Sequence, residues 1–81
     1  MPYLRSCSEI LRRLIAEGDV NGLPLAERAI NEYLAATPIT AQKSGLRLIQ
    51  EDVLIQRDAV VGDQRSFADS VSAYIEGKLR S

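Results

Sequence analysis

Between Pro38 and Gly62 the chain runs for about 24 residues with no proline and a single glycine, Gly45. Nothing there stops a helix, and a helix of that length spans roughly 36 Å. At about 100° per residue its apolar side chains fall in two stripes rather than one. Leu46, Ile49, Val53, Leu54, Val60 and Val61 make the first; Ala41, Gly45, Leu48, Ile55 and Ala59 make the second, nearly opposite. Thr40, Ser44, Arg47, Glu51 and Asp58 fill the polar strip between. A helix that is apolar on two sides must be covered on two sides. Either three short helices of the same chain cover both, or another copy covers what they leave. Gly45 costs about 1 kcal/mol relative to Ala in a helix interior, which points to a kink or a close helix contact there.

The rest of the chain supplies three such helices. The first is expected over about 7–17, with Ser6-Cys7-Ser8-Glu9 as a capping box and Gly18 just past its end. Its apolar face carries Tyr3, Leu4, Cys7, Ile10, Leu11, Leu14 and Ile15. The second is expected over 24–36, with Pro24 in its first turn and Leu25, Ala26, Ala29, Ile30, Tyr33 and Leu34 on one face. Thr37, before Pro38, is expected to leave helical geometry and cap the long third helix over 38–61. Asp63 is placed to cap a fourth helix over 64–79, whose buried face includes Phe67, Ala68, Val71, Tyr74, Ile75 and Leu79. No apolar alternation persists long enough for a strand. The expected fold is therefore all-α: one helical domain over 1–81, a compact four-helix bundle around a long central third helix.

The residue inventory narrows the chemistry. There is no histidine and one cysteine, Cys7. An internal disulfide is ruled out, and the common nitrogen–sulfur zinc and iron sites and His-dependent nucleophilic catalysis lose their ligands and bases. Ten basic and eleven acidic residues give a net charge of −1, with no general attraction for nucleic acid or anionic lipid. The acidic group Glu51, Asp52 and Asp58 has Arg47 beside it and no apolar surroundings that would shift a carboxylate into an acid–base role. Gly18 and Gly22 lack the lysine and preceding strand of a phosphate loop. No enzyme, cofactor or metal is expected.

One motif invites a calcium reading. In EGDVNGLP, residues 17–24, aligning Gly22 with the glycine of a calcium-binding loop puts Glu17, Asp19 and Asn21 at ligand places. The closing carboxylate position is then Arg28, which cannot ligate calcium, and Pro24 starts a helix inside the loop. The stretch reads as a corner, with Gly18 and Gly22 supplying positive φ and Asn21 an Asx-type bond.

Charges along the first helix alternate at four-residue spacing, Arg5–Glu9–Arg13–Glu17, and Arg28–Glu32, Arg47–Glu51 and Arg65–Asp69 repeat the pattern. Such lacing belongs to solvated helix faces; the alternative is a basic contact surface of Arg5, Arg12 and Arg13. Cys7, on an apolar face, reads as a small hydrophobe. No apolar run is long enough to span a membrane and the first residues carry no targeting pattern, so a cytoplasmic protein, bacterial or from a mobile element such as a phage, is expected.

Two segments carry a resemblance. LAERAINEYLA, Leu25–Ala35, resembles the second helix of ribbon-helix-helix DNA-binding proteins, and SGLRLIQED, Ser44–Asp52, is similar to the same helix in ParD-type antitoxins. Each covers about ten residues. The base-reading strand and first helix of that fold do not precede either at the required distance, so no family is assigned. The resemblance implies a dimeric DNA-binding regulator of the antitoxin or phage-repressor kind, contacting DNA through Arg5, Arg12 and Arg13.

The reading the residues favour is different: a small non-enzymatic regulator, adaptor or inhibitor that binds another protein and self-associates. Its expected interface is Leu48, Val53, Leu54, Ile55 and Ala59 on the third helix, with Tyr33 and Tyr74 as aromatic anchors. A third reading is an oligomer that sequesters a small ligand between its helices.

Overall fold

The computed structural model describes residues 2–81, with side chains described from Leu4 onward. Tyr3, placed above on the apolar face of the first helix, lies outside the described side chains. Four helices follow in order: α1 (Pro2–Glu17), α2 (Leu23–Ala35), α3 (Ile39–Ala59) and α4 (Gly62–Arg80), with a single 3-10 turn at Val20–Gly22 between the first two. Among the described residues there is no strand. The expected all-α four-helix bundle is the observed fold, with α3 the longest helix at 21 residues.

One aliphatic core joins all four helices. Cys7, Leu11, Leu14 and Ile15 from α1 meet Ala26, Ala29, Ile30 and Tyr33 from α2. Leu46, Ile49 and Val53 from α3 and Phe67, Ala68, Val71 and Ile75 from α4 complete it. The helix α3 packs mainly on α4 and α1. A network beneath it ties it to α4: Gln50 Nε2 donates to the Glu76 carboxylate at 3.0 Å, and Arg57 pairs with Asp69. The Gln50 bond holds the Glu76 carboxyl below its ordinary range.

Several local expectations are corrected. The first helix starts a full turn before the capping box, at Pro2. Pro is well tolerated in a first turn, and the extra turn lets Leu4 pack against the core. Thr37 is buried, but it does not cap α3. Its hydroxyl donates to the Tyr33 carbonyl at 2.6 Å, closing the end of α2 instead. The α2–α3 joint is held from the other side by Gln42, whose Nε2 donates to the carbonyls of Leu34 (2.9 Å) and Thr37 (3.1 Å). Orphan carbonyls at a helix end are thus satisfied by side chains of the next element. Asp63 lies inside the first turn of α4, and Val61 holds the N-cap position.

The corner between α1 and α2 is built as expected in outline and differently in detail. Gly18 has φ +64°, the left-handed geometry expected there, and its N–H donates to the Leu14 carbonyl at 3.0 Å. Gln64 of α4 donates to the Ala16 carbonyl at 2.6 Å, so α4 seals the end of α1. Gly22, however, has an ordinary φ of −83°. Its need is for space: a Cβ there would come within 3.2 Å of Leu14 Cδ2. The Asx-type bond is made by Asp19, whose Oδ1 accepts the Asn21 N–H at 2.9 Å, and not by Asn21. The carboxylate in the supposed calcium loop thus organises a turn.

An apolar stripe left open on α3

Of the two stripes on α3, the chain covers the middle of the first; Val61, past the end of the helix, is 76% exposed, and of the second stripe only Gly45 is buried, under Tyr33. Leu46, Ile49 and Val53 are fully buried. Leu48 and Ile55, one heptad apart, are 57% and 63% exposed, and Ala59 beyond them is exposed as well. Leu54, assigned above to the first stripe, sits at its edge and is 42% exposed. The cause is geometric. Helices α1 and α4 approach α3 from one side, and α2 touches it only near the joint, so no element of the chain reaches the far face.

The expected interface set therefore divides. Leu48, Leu54, Ile55 and Ala59 lie on the surface, whereas Val53 and Tyr33 do not. Val53 is fully buried in α3's covered stripe, as Ile49 is. Tyr33 is buried at 2% exposure because Gly45 admits it: a Cβ on residue 45 would fall 1.6 Å from the Tyr33 hydroxyl oxygen and 2.8 Å from Cζ. The glycine in α3 marks a close helix contact. Tyr74 is half-buried and already engaged, donating to Asn31 Oδ1 at 3.0 Å with Lys78 Nζ 5.2 Å from its ring centroid. It bridges α2 and α4 within the chain.

The basic residues also divide. Arg12 reaches across to α3 and binds Asp52 bidentately, Nε to Oδ2 at 3.0 Å and a terminal nitrogen to Oδ1 at 2.6 Å. Gln56 donates to the same carboxylate at 3.1 Å. Hydrogen bonding from Arg12, more than its charge alone, holds Asp52 below the usual carboxylate range. Arg13 instead lines the groove between α1 and α2, and Arg5 is exposed. Of the four-residue pairs expected, Arg28–Glu32 forms at 3.1 Å; Asp69 pairs with Arg57 rather than Arg65. A group with a lowered folded pKa adds stability above its unfolded value, near 3.9, and loses it as pH falls through the lower folded value. The Arg12–Asp52 link is therefore expected to be fully present at neutral pH and to weaken below about pH 4. Asp52→Asn should lower the melting temperature by roughly 2–6 °C at pH 7 and by much less at pH 3, as calorimetry at the two pH values would show. Equal losses at both would deny the pair its role.

Sequence periodicity missed a second apolar surface. Ile10 and Leu25, placed above on buried faces, are 43% and 54% exposed. With Leu14 and Ala29 they floor a groove of about 520 Å³ between α1 and α2, rimmed by Arg13, Glu17, Arg28 and Glu32. The signal was present in the width of the apolar face of α1, which is broader than one neighbouring helix can cover.

Cys7 is buried among apolar side chains, which pushes its thiol up to about 11 and leaves almost no thiolate at neutral pH. Among the described residues no three His, Cys, Asp or Glu side chains gather as a metal site, and no helix is long and apolar enough to cross a membrane. No protein-family model matches this chain, and neither a curated protein nor a solved structure is significantly similar to it.

Proposed function

We propose that this protein is a small, non-catalytic interaction module, a regulator, adaptor or inhibitor acting in the cytoplasm by binding protein through the open stripe of α3. The observation that carries the reading is the pair Leu48 and Ile55, two large aliphatic side chains more than half exposed at seven-residue spacing on a rigid helix. Burying such a side chain fully is worth about 1.5–3 kcal/mol, and the heptad spacing is the one by which helices dock along a seam. Exposed aliphatic residues are common singly; a row of them on one helix face is a binding feature. The groove floored by Ile10 and Leu25 lies on the side of α1 away from α3, which gives an adaptor a second surface.

Affinity capture with the wild-type protein and with a Leu48→Asp/Ile55→Asp double variant tests the reading. Both changes fall on exposed positions, so the variant is expected to keep the wild-type circular dichroism spectrum while losing the proteins retained by the wild type. An identical set captured by both would place the working surface elsewhere.

A further inference from the structure

We infer that the occupant of the open α3 stripe is a second copy of this chain, laid antiparallel across it about a two-fold axis near the middle of the helix, between Glu51 and Asp52. The inference rests on the interaction reading above and fixes the partner and its direction.

The charge order along α3 carries it. On the uncovered face the basic residues, Lys43 and Arg47, stand before the axis and the acidic Asp58 stands after it, with Glu51 beside the axis itself. The other cation of the second half, Arg57, is held within the chain by Asp69 and reaches Asp58 at 3.3 Å, a contact that the second copy's Arg47 would share. In a parallel two-fold pair the two Arg47 residues stand level but on opposite flanks, as do the two Asp58 residues, so the basic half of one helix never meets the acidic half of the other. An antiparallel copy sets the basic half of each helix on the acidic half of the other, which is electrostatic self-complementarity. The apolar residues follow the same symmetry. With the axis between Glu51 and Asp52, Leu48 faces Ile55 of the second copy and Ile55 faces its Leu48, while the small Ser44 and Ala59 oppose each other at the two ends. On the flank carrying Arg47, the second copy's Asp58 comes within about 3 Å of rise. Arg12, already holding Asp52, stands on the opposite flank beside the axis. Such an isologous pairing closes on itself and leaves no free stripe for further growth. Glu51 is the group that meets its own counterpart, so Glu51→Gln is expected to tighten the pair.

Sedimentation equilibrium on the full chain, with circular dichroism as the folding control, tests this with charge reversals. The wild type is expected to dimerise reversibly at micromolar to submillimolar concentrations. Arg47→Glu alone and Asp58→Arg alone should each weaken the dimer by roughly tenfold, since each places two like-charge contacts across the axis. An equimolar mixture of the two variants should regain wild-type affinity, because every 47–58 contact is again between opposite charges. A wild type that stays monomeric, or a dimer indifferent to either reversal, overturns the inference. Either result leaves the interaction reading standing if the Leu48→Asp/Ile55→Asp variant still loses its captured partners; that reading fails separately if it does not.

Discussion

Replacing Val53 by Asp is expected to unfold this protein at room temperature, whereas the same replacement two residues later, at Ile55, is expected to leave it folded. Val53 has no exposed surface and sits where α3 meets α1 and α4. A carboxylate there has no cation in the surrounding core to pair with, and an uncompensated buried charge costs several kcal/mol even after relaxation, about 5 or more on top of the lost valine packing. A domain of this size has roughly 4–12 kcal/mol of total stability, so the change removes most or all of it. Ile55 is 63% exposed, and a charged residue there falls in the class of surface changes worth within about 0.5 kcal/mol. Thermal melts by circular dichroism read the contrast: no cooperative transition for Val53→Asp, a wild-type transition for Ile55→Asp. Comparable melts for the two would mean that α3 is rotated about its axis relative to the arrangement described here.

The second large effect runs against helix propensity. Gly45→Ala in the interior of a 21-residue helix would ordinarily stabilise by about 1 kcal/mol. Here the added Cβ falls 1.6 Å from the Tyr33 hydroxyl and 2.8 Å from Cζ. The ring is buried and held on α2, so it cannot swing aside as an exposed chain end could, and the α2–α3 contact must open. Overpacking of this kind costs typically 1–3 kcal/mol, which outweighs the propensity gain. A net loss of up to about 2 kcal/mol, or as much as roughly 16 °C in melting temperature, is expected. Tyr33→Leu in the same chain should absorb the extra methyl, so the double variant should lose less than the two single losses summed. A melting temperature that rises on Gly45→Ala would show that the close approach of Tyr33 to α3 does not occur.

These two cases also show where the sequence was legible and where it stopped. Helix positions followed from the breakers: Gly18, Pro24, Pro38 and Gly62 bracket four helices within a few residues of their ends, because glycine and proline act locally. The two stripes of α3 followed from periodicity for the same reason. Which stripe is covered is not local. Val53 and Ile55 are equally apolar; only the approach of α1 and α4 from one side makes the first a core residue and the second a surface one. Tyr33 was expected to anchor an interface because nothing nearby in sequence reveals that Gly45, twelve positions on, makes room for it. Arg12–Asp52 spans forty residues and was invisible to a search for four-residue spacings. Ile10 and Leu25 show the converse limit: a wide apolar face on a helix does not say how much of it the neighbouring helix will cover.

The exposed Leu48–Ile55 stripe is what links the fold to the proposed function. One helix carries more apolar surface than its three partners bury: Ile39 is exposed at its start, and Leu48 and Ile55 form a row with the charge order of the proposed self-complementary pair. Sedimentation equilibrium of the wild type beside the Leu48→Asp/Ile55→Asp double variant is the most direct measurement. The expected result is a concentration-dependent dimer for the wild type and a folded monomer for the variant over the same range. A wild type that remains monomeric throughout, or a folded variant that associates as strongly as the wild type, would contradict it.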